Sequence, residues 1–230
     1  GRDRERIRGL SETAREEMTE YYTMWVHQIK TPIAAMRLLL QKPGQEQDPE
    51  LSEQLFRIEE YVNMVLQYLR VDGDNDLVVQ WNDLDLMVRQ AVHRYAGMFI
   101  RKKLSLSYEP LNRKVLTDEK WLVFAVEQIL SNAVKYTGQG GISIYLEPGP
   151  DTVLAIRDTG TGIALEDQPR IFEKGFTGYN GHADKRSTGI GLYLCRRILN
   201  RLSHEITVES EPGKGTIMRI WFAKERLEVE

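Results

Sequence analysis

The sequence predicts an α+β chain in two parts: a helical hairpin that pairs with a second copy as a four-helix bundle, then an α/β sandwich. Three observations predict this. Apolar residues up to about residue 70 recur at helical spacing, a polar acidic run from Val71 to Asp76 interrupts them, and beyond it strand-like and helix-like patterns are intermixed. With 230 residues, the chain is long enough for two small cores.

In the first part, Met18, Tyr22, Trp25, Ile29, Ile33, Met36 and Leu40 are three or four residues apart, the seam of one helix over about 3–41. Pro43-Gly44 punctuates it. A second helix, about Asp48 to Arg70, carries Leu51, Leu55, Ile58, Val62, Val65 and Leu69 at heptad spacing. A hairpin with this much apolar surface cannot hide it alone, so the pattern implies a homodimer. The segment Val71-Asp72-Gly73-Asp74-Asn75-Asp76 marks the domain boundary, giving parts 1–72 and 73–230. After it the sequence predicts a strand Leu77–Trp81, then a helix Asp83–Met98 capped by Asn82 or Asp83, a strand Leu104–Tyr108 and a long helix Asp118–Tyr136. Strands Gly141–Glu147 and Thr152–Asp158 follow. A helix Ile190–Leu202 and a hairpin, Glu205–Ser210 with Thr216–Ala223, close the chain around Pro212-Gly213-Lys214-Gly215. The expected architecture is one sheet under one layer of helices.

The bulk numbers exclude more than they assign. A net charge of −3 gives no reason to expect nucleic acid as a partner. The single cysteine, Cys195, rules out an internal disulfide and suits a reducing cytoplasm. No run of about 18 apolar residues and no signal peptide is present. The opening Arg2-Asp3-Arg4-Glu5-Arg6 reads as a cut through a longer helix, hence a fragment.

Five stretches carry chemistry. His27 lies about 200° around the helix from Trp25 and Ile29, on the side away from the seam. An exposed neutral imidazole is a nucleophile at pH 7. Pro32, five residues on, removes a backbone N–H and frees the carbonyl of Gln28, a device costing about 3 kcal/mol in a helix interior. Taken alone, His27 reads as an ordinary surface histidine, as His93, His182 and His204 do; the rest of the chain is what sets it apart. On the helix ending at Tyr136, residues Gln128, Asn132 and Lys135 form one polar face beside Glu127. An Asn132 amide oxygen suits Mg²⁺ held between phosphates, and Lys135 suits the phosphates themselves; a solvated face is the plain alternative.

Asp158-Thr159-Gly160-Thr161-Gly162-Ile163 follows a strand directly. A strand-end carboxylate accepts the exocyclic amine of adenine, and Gly160 and Gly162 let the backbone approach the ring; a tight turn is the competing reading. Neither a dinucleotide fingerprint nor a P-loop occurs. Between Phe172 and Thr188 an aperiodic polar stretch with Lys174, Thr177, Lys185 and Arg186 has the character of a lid that orders on ligand. Ser187-Thr188-Gly189-Ile190-Gly191-Leu192 then opens a helix whose amides and dipole suit a β- or γ-phosphate, or simply cap a packed helix.

In this order the pieces resemble the transmitter region of bacterial sensor histidine kinases, over almost the whole chain. His27-Gln28-Ile29-Lys30-Thr31-Pro32 resembles the phosphoacceptor motif, Asn132–Tyr136 the N-box and Asp158–Gly162 the first glycine motif. Phe172-Glu173-Lys174-Gly175-Phe176 resembles the phenylalanine motif, Gly189-x-Gly191-Leu192 the second glycine motif and Gly213-x-Gly215-Thr216 the last. The H-Q-I-K-T-P form with F-E-K-G-F-T-G is most similar to the intramembrane-sensing, bacitracin-sensor-like kinases.

The resemblance implies a dimerisation and phosphotransfer hairpin followed by a catalytic ATP-binding domain of Bergerat (GHKL) type, with ATP and Mg²⁺ as cofactors. His27 is then the phosphoacceptor, Asn132 a Mg²⁺ ligand, Asp158 the adenine-specifying carboxylate with Thr216 near it, and Thr31 the residue that positions water for dephosphorylation. The implied partners are a response regulator, a second copy through the hairpin and a peptide-antibiotic ABC exporter reached through a membrane part outside this sequence. The implied location is the cytoplasmic side of the bacterial plasma membrane. Two positions depart from the family pattern. Gln28 stands where Glu or Asp is common and cannot take a proton, and Gln128 replaces the first N-box asparagine with a longer amide, keeping a metal-ligand oxygen. A nucleotide-binding scaffold without transfer, and an ATPase of the same fold using water, remain as readings of other classes.

Overall fold

The computed structural model describes Val26, residues 29–31 and 33–38, Leu40, and residues 49–71, 77–178 and 189–223. His27, Gln28, Pro32, Trp25, Thr188, His182 and the boundary run 72–76 lie outside the described residues. Two compact units divide the chain, residues 1–76 and 77–230.

In the first unit, residues 29–31 and 33–38 are helical and α1 runs Pro49–Arg70. Val26 and Ile33 pack with Leu55, Val62 and Leu66, and Ile29 and Leu40 flank that cluster. Arg37 pairs with Glu59 across the two segments. The predicted seam needs correction. Met36 is exposed and Val26 is fully buried, and on α1 only the row through Leu55, Val62 and Leu66 is covered. Leu51, Ile58 and Val65 are 49%, 43% and 39% exposed. A heptad pattern comprises two adjacent rows of side chains, and one neighbouring helix covers only one of them.

In the second unit, Asp83 turns strand β1 (Gln80–Asp83) into helix α2 (Leu84–Lys102): its side chain accepts the Leu86 N–H at 3.2 Å. The helix ends where Lys103 adopts a left-handed conformation. Strand β2 is Ser105–Tyr108 and β3 is Lys114–Thr117. The sequence reading missed β3: with four residues alternating exposed and buried, it is too short to stand out from a loop. It pairs antiparallel with β1, Trp81 facing Leu116.

Helix α3 (Glu119–Tyr136) is capped by Asp118, which accepts the Trp121 N–H. Its other carboxylate oxygen takes the Val78 N–H at 2.7 Å, anchoring the start of the unit. Strands β4 (Gly141–Leu146) and β5 (Val153–Asp158), helix α4 (Gly191–Arg201), and strands β6 (Glu205–Glu211) and β7 (Gly215–Trp221) complete it.

The main sheet has the order β2-β4-β5-β7-β6, with β2 parallel to β4 and the other pairs antiparallel. Alternation sends Ile142, Ile144, Leu154, Ile156, Met218 and Ile220 into the core, which α3 and α4 share through Leu122, Val126, Leu130, Leu194 and Ile198. On the other face Arg219 lies between Glu147 (2.7 Å) and Glu209 (2.8 Å), opposite the buried Ala155 in the strand register. Helix α3 is apolar almost all round, as a central helix must be, so its few polar residues stand out.

His204 is a correction: expected at the surface, it is buried. Its Nδ1 accepts the Ala223 N–H at 3.3 Å, so Nε2 carries the proton and donates to Thr117 Oγ1 at 3.0 Å. Burial lowers its pKa to about 4. Cys195 is also buried, its thiol against the Ala125 carbonyl and its pKa pushed up by desolvation. No helix among the described residues is long and apolar enough to cross a membrane.

Candidate functional site

The C-terminal end of β5 meets the C-terminal end of α3. Asp158, the last residue of β5, is 8% exposed. Its carboxylate accepts the Gly160 N–H at 2.8 Å and the Thr216 backbone N–H, while burial pushes its pKa up from the ordinary carboxylate range. Gly160 is required here: a Cβ would stand 2.6 Å from the Tyr136 carbonyl oxygen and 2.8 Å from the Asp158 carboxylate. The Thr161 N–H donates to that same Tyr136 carbonyl at 3.2 Å, and the Thr161 carbonyl accepts from Gly213 at 2.8 Å. The loop Asp158–Gly162 is therefore pinned between α3 and the β6–β7 turn.

Beyond it, the Ile163 N–H donates to Ser210 Oγ at 2.8 Å. Gln168 Nε2 donates to the carbonyls of Ile163 (3.2 Å) and Ser210 (2.7 Å). Ser210 Oγ also lies 2.9 Å from the Gly215 carbonyl and 2.8 Å from Thr216 Oγ1. Thr216 is buried and faces Asp158 in the register of β5 and β7.

On α3, Gln128 is nearly buried, and Asn132, Lys135 and Tyr136 are half-buried. The Lys135 ammonium sits 5.1 Å over the Tyr136 ring. Lys102, at the end of α2, caps this helix end: its ammonium donates to the carbonyls of Val134 (2.5 Å), Lys135 (3.1 Å) and Thr137 (3.2 Å). Gln128 reaches the start of α4, where a Cβ on Gly191 would meet its Oε1 at 2.6 Å. Ile190 precedes that helix and provides no side-chain cap to its first amides. Leu192 is half-buried on its first turn.

Gly189 has φ +65°, and a Cβ there would lie 2.7 Å from the Phe176 nitrogen. Its carbonyl accepts the Gly175 N–H at 2.9 Å. The phenylalanine stretch and the second glycine stretch are thus joined at their bases. Phe176 is held under Arg170 at 4.5 Å, and Lys174 is exposed beside it.

Gln128, Asn132, Lys135 and Tyr136 thus lie along α3, with Gly160 against its end and Gly191 beside Gln128. Asp158 and Thr216 adjoin Gly160, Gly162 and Ile163 pack on the β6–β7 hairpin, Gly189 packs on Phe176, and Leu192 follows on α4. Thr31 is exposed on its own helix in the first unit. Among the described residues no group of three or more His, Cys, Asp or Glu side chains is arranged to hold a metal. The sequence reading missed Ser210, Gln168 and Lys102. Counting outward from the Glu211–Gly215 turn places Ser210 opposite Thr216, a signal that was available.

Residues 117–226 match the family described as histidine kinase-, DNA gyrase B- and HSP90-like ATPases. The chain is 36% identical over 201 residues, 86% of its length, to the sensor protein BceS of Bacillus subtilis. This chain belongs to the bacterial sensor histidine kinases. Within that family it is also 32% identical over 210 residues to the sensor histidine kinase YxdK of the same organism, and 35% identical over 204 residues to GraS of Staphylococcus aureus. It spans 60% of BceS, 64% of YxdK and 59% of GraS. In fold it is similar to full-length ShkA, solved with AMPPNP, at TM-score 0.64 and 23% identity over 89% of this chain and 46% of that one. It is also similar to the Acinetobacter baumannii histidine kinase AdeS, at TM-score 0.57 and 22% identity over 86% of this chain and 97% of that one. The α+β architecture, with an ATPase domain of the GHKL type, is the one histidine kinases share.

Proposed function

We propose that this chain is the kinase portion of a two-component sensor, in which ATP bound by residues 77–230 phosphorylates His27 and the phosphoryl group passes to an aspartate of a response regulator. The observation that carries the reading is the junction of Asp158, Gly160 and Thr216 with the end of α3, a buried acceptor beside a helix that bears Asn132 and Lys135. A buried strand-end carboxylate fits the exocyclic amine of adenine, and the first turn of α4 with Gly189, Gly191 and Leu192 fits the distal phosphates. Lys135, Tyr136, Ile163, Lys174 and Thr188 would line the nucleotide.

Mg²⁺ fits as an ion shared with phosphates rather than caged by protein carboxylates: the polar groups offered are the amide oxygens of Gln128 and Asn132, one turn apart on α3. When bound it neutralises charge on the transferring phosphoryl group. The protein's own share is positioning. Lys135 pairs with phosphate, the α4 amides orient it, and His27 attacks in line. Gln28 cannot accept the imidazole proton, which makes an acidic neighbour dispensable for that step or leaves the proton to phosphate or solvent.

The partly exposed apolar residues Ile58 and Val65 on α1 fit a second copy, completing a four-helix bundle. Thr31, exposed on its helix, would orient water for hydrolysis of the regulator's phosphoaspartate, a separate reaction from phosphorylation of His27. The motif resemblance to the intramembrane-sensing, bacitracin-sensor-like kinases supports a whole protein anchored in the membrane and working beside a peptide-antibiotic exporter.

The test is incubation with Mg²⁺ and γ-labelled ATP. Acid-labile, base-stable label on the wild type and none on His27→Ala, with nucleotide binding intact in both, is the expected result. Label retained in His27→Ala sinks the phosphoacceptor assignment. Steady phosphate release without phosphoprotein points to an ATPase instead.

A further inference from the structure

Ser210, Thr216 and Asp158 stand side by side on three neighbouring strands: Asp158 opposes Thr216 across β5 and β7, and Ser210 opposes Thr216 across β6 and β7. Directly opposed residues send their side chains to the same face of a sheet. Ser210 Oγ has three partners: the Ile163 N–H at 2.8 Å, the Gly215 carbonyl at 2.9 Å and Thr216 Oγ1 at 2.8 Å. A serine hydroxyl has one proton and two lone pairs. The amide can only donate and the carbonyl can only accept, so the serine proton goes to Gly215. The contact with Thr216 is then satisfied in one way, with the threonine donating. The reverse assignment would leave the Gly215 oxygen facing an oxygen with no proton between them.

We infer that Ser210 sets the specificity of the pocket by holding the Thr216 proton, leaving Thr216 Oγ1 an acceptor only, so that Thr216 and Asp158 together read an amino group on a purine and reject a keto oxygen. Ser210 is a positioning residue in this scheme, since it acts through Thr216. The inference rests on the nucleotide reading above. A pocket edge made only of acceptors leaves a keto oxygen unpaired, and unpaired buried polar groups are what give such sites their discrimination. With Ser210 gone, the Thr216 hydroxyl is released to turn its proton toward a keto group.

The experiment compares the affinities of the 230-residue chain for ADP and for inosine diphosphate, by titration calorimetry in magnesium buffer. In wild type, ADP binds more tightly. Ser210→Ala lowers the ADP:IDP affinity ratio by about tenfold, chiefly through a gain for IDP, and Ser210→Thr, which keeps the hydroxyl, restores it. A folded Ser210→Ala protein with the wild-type ratio overturns the inference, even if both affinities fall together, because equal losses mean a structural role only. If Ser210→Ala does not fold, Thr216→Val decides: it removes both the acceptor and the rotatable proton, so its ratio must also fall, and an unchanged ratio overturns the inference. Folded wild-type protein that binds ADP not at all removes the nucleotide reading and this one with it, whereas tight ADP binding with unchanged ratios removes this one alone.

Discussion

Asp158 and His204 are two buried titratable groups whose pH effects have opposite signs. Burial raises the Asp158 pKa, so its contribution to stability is full below its unfolded value of 3.8 and is lost as pH rises through the folded value. Its charge is therefore kept at a cost to the fold, which a ligand amine offsets. Asp158→Asn is expected to leave the melting temperature unchanged or raised, while nucleotide affinity drops about a hundredfold; calorimetric titration and a thermal melt check the two halves separately. For His204 the folded pKa is depressed to about 4 from 6.5, so its contribution is full above pH 6.5 and drains away as pH falls toward 4. That window is worth up to about 3 kcal/mol. Melts of wild type and His204→Gln across pH 4–7 test it, with the wild type losing stability more steeply toward acid. Its sequence neighbours gave no hint of this burial, because Thr117 and Ala223, the groups it bonds, come together only in the tertiary structure.

At the scale of elements, the C-terminal end of α3 carries much of the site, and Lys102 holds it from another helix. Lys102→Met removes the cation from three carbonyls and is expected to cost about 1–2 kcal/mol, with faster amide exchange near residue 137 as the local sign. Gly189→Ala meets both a left-handed backbone and the Phe176 nitrogen, so it should weaken nucleotide binding more than it lowers the melting temperature. Most elements were legible as patterns: the helix capped by Asn82 or Asp83, the long helix from Asp118, and the strands β4 through β7. The strand β3 was not, since four residues between polar neighbours have too short a period to register. The glycine stretches were legible as places of close backbone approach, which the crowding at Gly160 and Gly189 bears out. Ser210 and Lys102 were not, because a serine at a strand end and a lysine at a helix end are ordinary until their partners are seen.

The whole molecule consists of two units, and their separateness makes a clean prediction. Ile58→Glu places a charge in the exposed row of α1 and should convert the proposed dimer to a monomer in sedimentation, while nucleotide affinity stays within about twofold, since residues 77–230 have their own core. A variant that stays dimeric would show that this row is not the contact between copies.

The sequence contains one thiol, and the fold seals it between α4 and α3. Alkylating reagents can reach Cys195 only when the sandwich opens, and opening also exposes a sulfur that ionises far more readily than in the native state. The labelling rate is thus a built-in clock for the opening of the catalytic unit, requiring no engineered probe. A nucleotide that binds the closed form should slow that clock in proportion to its saturation. Any cysteine added at the surface would meanwhile react alone, on an otherwise silent background.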